Sequence, residues 1–237
     1  MTTTELIQEI KSYCLANADA ERLQKSQRFF KEEFVGHGLA APQLYSKVKE
    51  IQKTGSVDLS AILEAMPVLM KDGMFEEISI ALLLLDGQWK HFTPETFQTI
   101  GSWFSLSITN WAHADTLAMF TLPKFQDKKI VEMKDFAPWL DSPYKFKRRC
   151  LPVTLIKHVK KTREVMPSIL FVEQLMADPE REVHQGMGWF LREAWKVNAA
   201  EVEAFLLKYK DSAPRLIIQY ACEKMTPENK QRFKRAK

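Results

Sequence analysis

Apolar residues recur along this chain at intervals of three and four, the spacing of one face of an α-helix, and few segments alternate with the period of a strand. Leu6, Ile10 and Cys14 predict a first helix, and Phe29, Phe30 and Phe34 a second. Val48 and Ile51, then the stretch from Leu59 to Met70, continue the pattern. Capping residues stand where such stretches begin. Asp58-Leu-Ser60 precedes Ile62, and Thr93-Pro94-Glu95 sets a cap before a first-turn proline. Ala177-Asp178-Pro179-Glu180 repeats that order, and Ser212-Ala-Pro214 precedes the run from Leu216 to Met225. Helices are expected to open near Phe75, Thr109, Tyr144, Glu180 and Ser212, about 30 to 37 residues apart. A second helix is expected between each pair: Thr93 to Phe104, Lys128 to Leu140, Pro167 to Met176 and Ala199 to Lys208. Two helices per unit at this period predict an all-α, HEAT-like helical-repeat solenoid with a concave face, because no pair can bury its apolar side alone. The alternative is an irregular helical bundle. The chain, 1–237, reads as a single repeat domain with a basic tail from about 228 to 237.

Charge changes the picture locally rather than globally. A net charge of +4 does not by itself mark a nucleic-acid binder. Between Tyr144 and Arg163, however, Lys145, Lys147, Arg148, Arg149, Lys157, Lys160, Lys161 and Arg163 stand without one acidic residue. The tail adds Lys230, Arg232, Lys234, Arg235 and Lys237. Cys14, Cys150 and Cys222 are isolated and lack metal-type spacing, as free thiols of a reducing compartment would. The N-terminus lacks the basic-then-apolar plan of a signal peptide, and the longest apolar run, Ile80 to Leu85, is too short to span a bilayer. A cytoplasmic, monomeric protein without membrane association is expected.

Three segments carry candidate chemistry: Trp111-Ala-His-Ala-Asp115, Lys145-Phe-Lys-Arg-Arg149 and Gly188-Trp-Phe-Leu-Arg192. They start about one helix pair apart, so stacking would bring an acid, a basic cluster and aromatics onto one surface. Such a surface would hold a polyanion by its phosphates and a sugar between indole faces, with a carboxylate beside it. The histidines are scattered, which leaves no metal cluster, and neither a Gly-rich phosphate loop nor a serine triad signature is present. No cofactor is expected.

With Gly38-Leu-Ala-Ala-Pro42, Asn110-Trp-Ala-His-Ala-Asp115, Phe146-Lys-Arg-Arg149 and Gly188-Trp-Phe-Leu-Arg-Glu193, the sequence from about Arg28 to Met225 resembles the AlkD-like DNA glycosylases, HEAT-repeat enzymes of DNA alkylation repair. The resemblance implies a DNA-binding concave face with Trp111, Asp115, Arg149 and Trp189 as the catalytic cleft. It implies excision of cationic alkylpurines, such as 3-methyladenine and 7-methylguanine, from duplex DNA in base excision repair, without a deep base pocket. The sequence departs from the family in places. Phe29 stands where a cleft tyrosine is common, Leu44-Tyr45 replaces an arginine pair, and Pro152 predicts a kink in the helix after Arg149.

The residues suit that chemistry. A purine alkylated at N3 or N7 is already cationic and leaves neutral, so no general acid is needed. An anion near C1′ and a positioned water suffice, and Asp115 supplies the carboxylate. Trp111 lies one turn before it, and Trp189 would form the opposite wall. Arg149 would hold a neighbouring phosphate by a bidentate fork, with Lys145, Arg148, Arg192, Lys157 and Lys160 as further DNA contacts. His113, two residues from Asp115, flanks the site rather than serving as its base. No lysine sits in the core motif to act as a lyase amine, so a monofunctional enzyme is expected. Two other readings stay open: a non-catalytic HEAT-repeat protein that binds bent or branched DNA, and a protein-interaction scaffold.

Overall fold

The computed structural model describes residues 1–31 and 34–235. Lys237 of the basic tail therefore lies outside the described residues. Among those described, the regular structure is entirely helical, and it divides into two compact units, Met1–Leu117 and Ala118–Lys237.

In the first unit, α1 (Thr3–Ala16) opens on a capping box between Thr2 and Glu5, and it buries Leu6, Ile10 and Cys14 as their spacing predicts. The helix α2 (Ala20–Gln27) is capped by Asp19. Helices α3 (Ala41–Lys53), α4 (Leu59–Asp72), α5 (Phe75–Gly87), α6 (Pro94–Ser102) and α7 (Trp111–Thr116) follow. Asp58 caps α4 through the Ala61 N–H, and Thr93 caps α6 through the Thr96 N–H, both as read from sequence. The central helix is α5, which packs against α1, α3, α4 and α7 and is buried nearly all round. The expected helix through Phe29, Phe30 and Phe34 does not form. α2 stops at Gln27, and the three phenylalanines lie in the turn and loop beyond it. Phe30 stacks on Phe34 and on Trp111, so ring packing anchors this segment in place of a helical face.

The carboxylate of Glu76, buried on α5, fixes the next loop. It accepts the backbone N–H groups of His37, Gly38 and Leu39 at 2.7, 2.8 and 3.1 Å. Gly38 sits at φ +82°, and a Cβ there would lie 2.1 Å from the Asp19 carbonyl oxygen. Only glycine fits that position. The Gly38-to-Pro42 string is thus structural: it holds the loop against α5 and ends at the start of α3.

In the second unit come α8 (Leu122–Asp127), a 3₁₀ segment over Met133–Trp139, α9 (Lys145–Thr162), α10 (Val165–Val172), α11 (Arg181–Trp195), α12 (Ala199–Tyr209), α13 (Arg215–Ala221) and α14 (Pro227–Gln231). The expected helix from Lys128 to Leu140 is this broken pair instead. Lys129 adopts φ 57°, which ends α8, and Pro138 favours the short 3₁₀ piece. α9 remains α-helical through Pro152 to Thr162, with the proline ring buried. α11 packs between α9 and α13. A Cβ on Gly188 would lie 2.4 Å from Tyr220 Cβ and 2.9 Å from the Ile217 carbonyl oxygen, so glycine lets α11 approach α13 closely.

Side-chain contacts in both units join residues about one repeat apart. Ser79 meets His113 and Lys161 meets Asp127, each 34 positions apart, while Gln185 meets Tyr220 and Lys208 meets Glu173, each 35 apart. This near-constant offset is what stacking of equivalent helix pairs produces. It defines a helical-repeat protein. The basic tail is part of the packing: Phe233 is fully buried, Arg215 donates to the Phe233 carbonyl, and Arg235 donates to the Ala213 carbonyl.

Candidate nucleic-acid site

Asn110 starts α7 in the first unit. Its Oδ1 accepts the His113 N–H at 2.9 Å, a standard N-cap. Trp111 and Asp115 follow four residues apart and share a face of the helix. Trp111 is 38% exposed, its ring stacks on Phe30 at 5.5 Å, and its indole N–H donates to the Phe29 carbonyl at 3.3 Å. Phe29 itself is exposed, with the Arg28 guanidinium 4.9 Å over its ring. Asp115 is half-buried and has a polar or charged partner in the structure. Behind them His113 is buried, and burial pushes its pKa down to about 4, so it is neutral at ordinary pH. Both ring nitrogens are engaged inside the fold, one by Asn110 and the other at the Phe75 carbonyl. A π-helical stretch, Leu117–Thr121, follows α7 directly.

In the second unit, Lys145, Arg148, Arg149, Lys157 and Lys160 lie on α9, and Trp189 and Arg192 on α11. The acid-free stretch meets acids from a repeat later. Arg148 forms a fork on Asp178, Nε to Oδ2 at 2.6 Å and Nη2 to Oδ1 at 3.1 Å, and its Nη1 donates to the Ser142 carbonyl at 2.6 Å. The side chains of this pair are 11% and 3% exposed. Asp178, expected to cap α11, binds Arg148 and accepts the Glu180 N–H at 2.8 Å, while α11 opens later with Glu180 at the cap and without a side-chain cap bond. Lys145 lies 3.5 Å from Glu182, and Lys160 lies 2.7 Å from Glu193. Arg149 is buried, 6% exposed, and donates Nη1 to the Glu182 carbonyl at 2.6 Å. Any hold it has on phosphate is shared with this structural bond. Arg192 pairs with Glu223 and lies 3.4 Å from Glu193.

Glu193 is the hub of this network. Burial pushes its carboxyl up, but hydrogen bonds from Lys160 and Lys196 outweigh that and hold it down at about 2. Lys157 is different. Among the described residues its ammonium meets no carboxylate, and it lies exposed 5.1 Å over the ring of Phe120, itself 41% exposed. Trp189 is half-buried on α11.

Sequence reasoning missed Phe30 as the support of Trp111, Asn110 as the cap of α7 and partner of the His113 ring, and the acids Asp178, Glu182 and Glu193 as partners of α9. Asn110 just before a helix opening was a readable cap signal. The acids had a signal too: they stand one repeat length beyond the cations they meet.

The family model for DNA alkylation repair enzymes matches residues 10–225. Among solved structures, a predicted DNA alkylation repair enzyme from Enterococcus faecalis aligns with a TM-score of 0.75 over 89% of this chain and 97% of that one, at 16% identity. That likeness is one of fold. No curated protein sequence matches. The chain belongs to the DNA alkylation repair enzyme family, and its role lies in the repair of alkylated DNA. No helix among the described residues is long and apolar enough to cross a membrane.

Proposed function

We propose that this protein is a monofunctional DNA glycosylase that removes purines alkylated at N3 or N7 from duplex DNA. The observation that carries the reading is the pairing on α7 of an exposed, ring-supported indole with a carboxylate one turn away. The departing base needs no acid, since alkylation has made it cationic. Positive charge grows on the sugar as the bond to C1′ stretches. Asp115 opposes that charge and orients the attacking water, and the face of Trp111 favours a cationic sugar or base. Lys157 is the best-disposed of the basic residues for phosphate. Lys145, Lys160 and Arg192 can contact the backbone only from within their ion pairs, and Arg148 and Arg149 act mainly by holding α9 against α11.

The test compares single-turnover release of 7-methylguanine and 3-methyladenine by the wild type and Asp115→Asn. Loss of one preorganised charge should slow release by about 10² to 10³, with duplex affinity kept. Equal rates would remove Asp115 from the mechanism. Absence of release by the wild type would favour DNA binding without excision.

A further inference from the structure

Helix α7 is the opening of a helical run that continues through the π stretch Leu117–Thr121 into α8, and an opening turn frays unless tertiary contacts hold it. Trp111 and Asp115 nevertheless have to be held still on it. His113 stands two residues from each, so on a helix it projects to the opposite side, inward. Its bonding there is complete. Asn110 uses Oδ1 to accept the His113 N–H, so its Nδ2 faces the imidazole Nδ1, at 2.9 Å, and donates to it. Nε2 therefore carries the ring proton. It points at the carbonyl oxygen of Phe75, the first residue of α5, at 3.0 Å. Ser79 Oγ lies 3.1 Å from Nε2 and donates to the same carbonyl at 2.7 Å. The imidazole also stacks on the Phe75 ring, centroids 4.6 Å apart and planes 16° apart. Phe75 also packs against Phe30 and Phe34, and Phe30 supports Trp111. One buried ring thus touches both the backbone of α5 and the aromatic group beneath the exposed indole.

We infer that His113 is a positioning residue: with Asn110 and Phe75 it sets the placement of α7, and so of Trp111 and Asp115, for excision. The inference rests on the glycosylase reading for its effect on rate, but not for its effect on Trp111. A side chain that only filled space here could be replaced by any residue of similar volume. A hydrogen-bonded anchor is rescued only by another donor aimed at the Phe75 carbonyl.

The experiment uses the full chain with His113→Leu, His113→Gln and Asn110→Ser. Single-turnover release of 7-methylguanine is measured beside affinity for the same duplex and acrylamide quenching of Trp111, isolated by subtracting the Trp111→Phe protein. His113→Leu should lose on the order of 10²-fold in rate, the scale of a small misplacement of reacting groups, while duplex affinity holds. Its Trp111 should become more accessible to quencher. His113→Gln, whose amide can donate to Phe75, should recover much of both. Asn110→Ser keeps the cap but loses the donor to Nδ1, so it should fall between them. That variant also carries the test if His113→Leu does not fold. Wild-type rate and quenching in both His113→Leu and Asn110→Ser would overturn the inference, as would equal loss in the Gln and Leu variants. If the wild type releases no base, the glycosylase reading fails, and the quenching series alone decides on the anchor.

Discussion

The helix that carries Trp111 and the helix that carries Arg149 are held in place by opposite means. At His113, α7 rests on neutral contacts: an uncharged imidazole, an amide, a hydroxyl and stacked rings. α9 is held to the α11 segment by ions: Arg148 on Asp178, Lys145 near Glu182 and Lys160 on Glu193. Ionic anchors occupy cations that would otherwise be free for phosphate. A basic run in a repeat protein is therefore weak evidence for a DNA-binding face until its partners one repeat away are counted.

The largest expected effect is on the ionic side. Asp178→Ala strands the largely buried Arg148 guanidinium and should cost about 3 to 5 kcal/mol in urea unfolding, whereas the matched Arg148→Met, Asp178→Leu double replacement should cost much less. A loss near zero for Asp178→Ala would mean that the pair is solvated and would break the contrast between the two helices. Gly188→Ala comes next. Its methyl group would meet Tyr220 Cβ and the Ile217 carbonyl, so overpacking should cost about 1 to 3 kcal/mol in the same assay.

Acid separates the two anchors by pH window. His113 has its folded pKa near 4, below the ordinary 6.5. Its contribution is whole above 6.5 and is lost as pH falls towards 4, because protonation then favours the unfolded chain. Glu193, at about 2 against an ordinary 4.5, contributes fully above 4.5 and loses that contribution as pH falls towards 2. Unfolding midpoints at about pH 7.5 and about pH 5 should therefore differ in the wild type by a component that His113→Leu lacks and Glu193→Gln keeps. An unchanged difference in His113→Leu would show that the imidazole is not the group titrating.

The smallest effect sharpens the comparison on the DNA side. Lys157→Ala should barely alter stability but should flatten the plot of log affinity against log salt by about 0.9, one phosphate contact. An unaltered slope would take Lys157 off the phosphate face.

Much of the helical plan was legible. Openings expected near Phe75, Thr109, Tyr144, Glu180 and Ser212 appear at Phe75, Trp111, Lys145, Arg181 and Arg215. Capping and apolar spacing act over one or two turns, so Asp58, Thr93 and the face of Leu6, Ile10 and Cys14 could be read directly. The misreadings lie where distant contacts outweigh local preference. Phe30 and Phe34 look like a helix face, but they pack as stacked rings in a loop. Asp178 has the position of a cap, but it joins a guanidinium 30 residues earlier in the chain, and α11 opens only after Glu180.

By itself, then, the sequence determined the helical repeat and the placing of Trp111 and Asp115 one turn apart, because both follow from spacing within a single helix. Tertiary structure decided what those residues and the basic stretch are free to do. Asp178, Glu182 and Glu193 are far from α9 along the chain and reach it only when repeats stack, at 2.6, 3.5 and 2.7 Å. Charge at such distances is decisive, and local pattern carries no record of it.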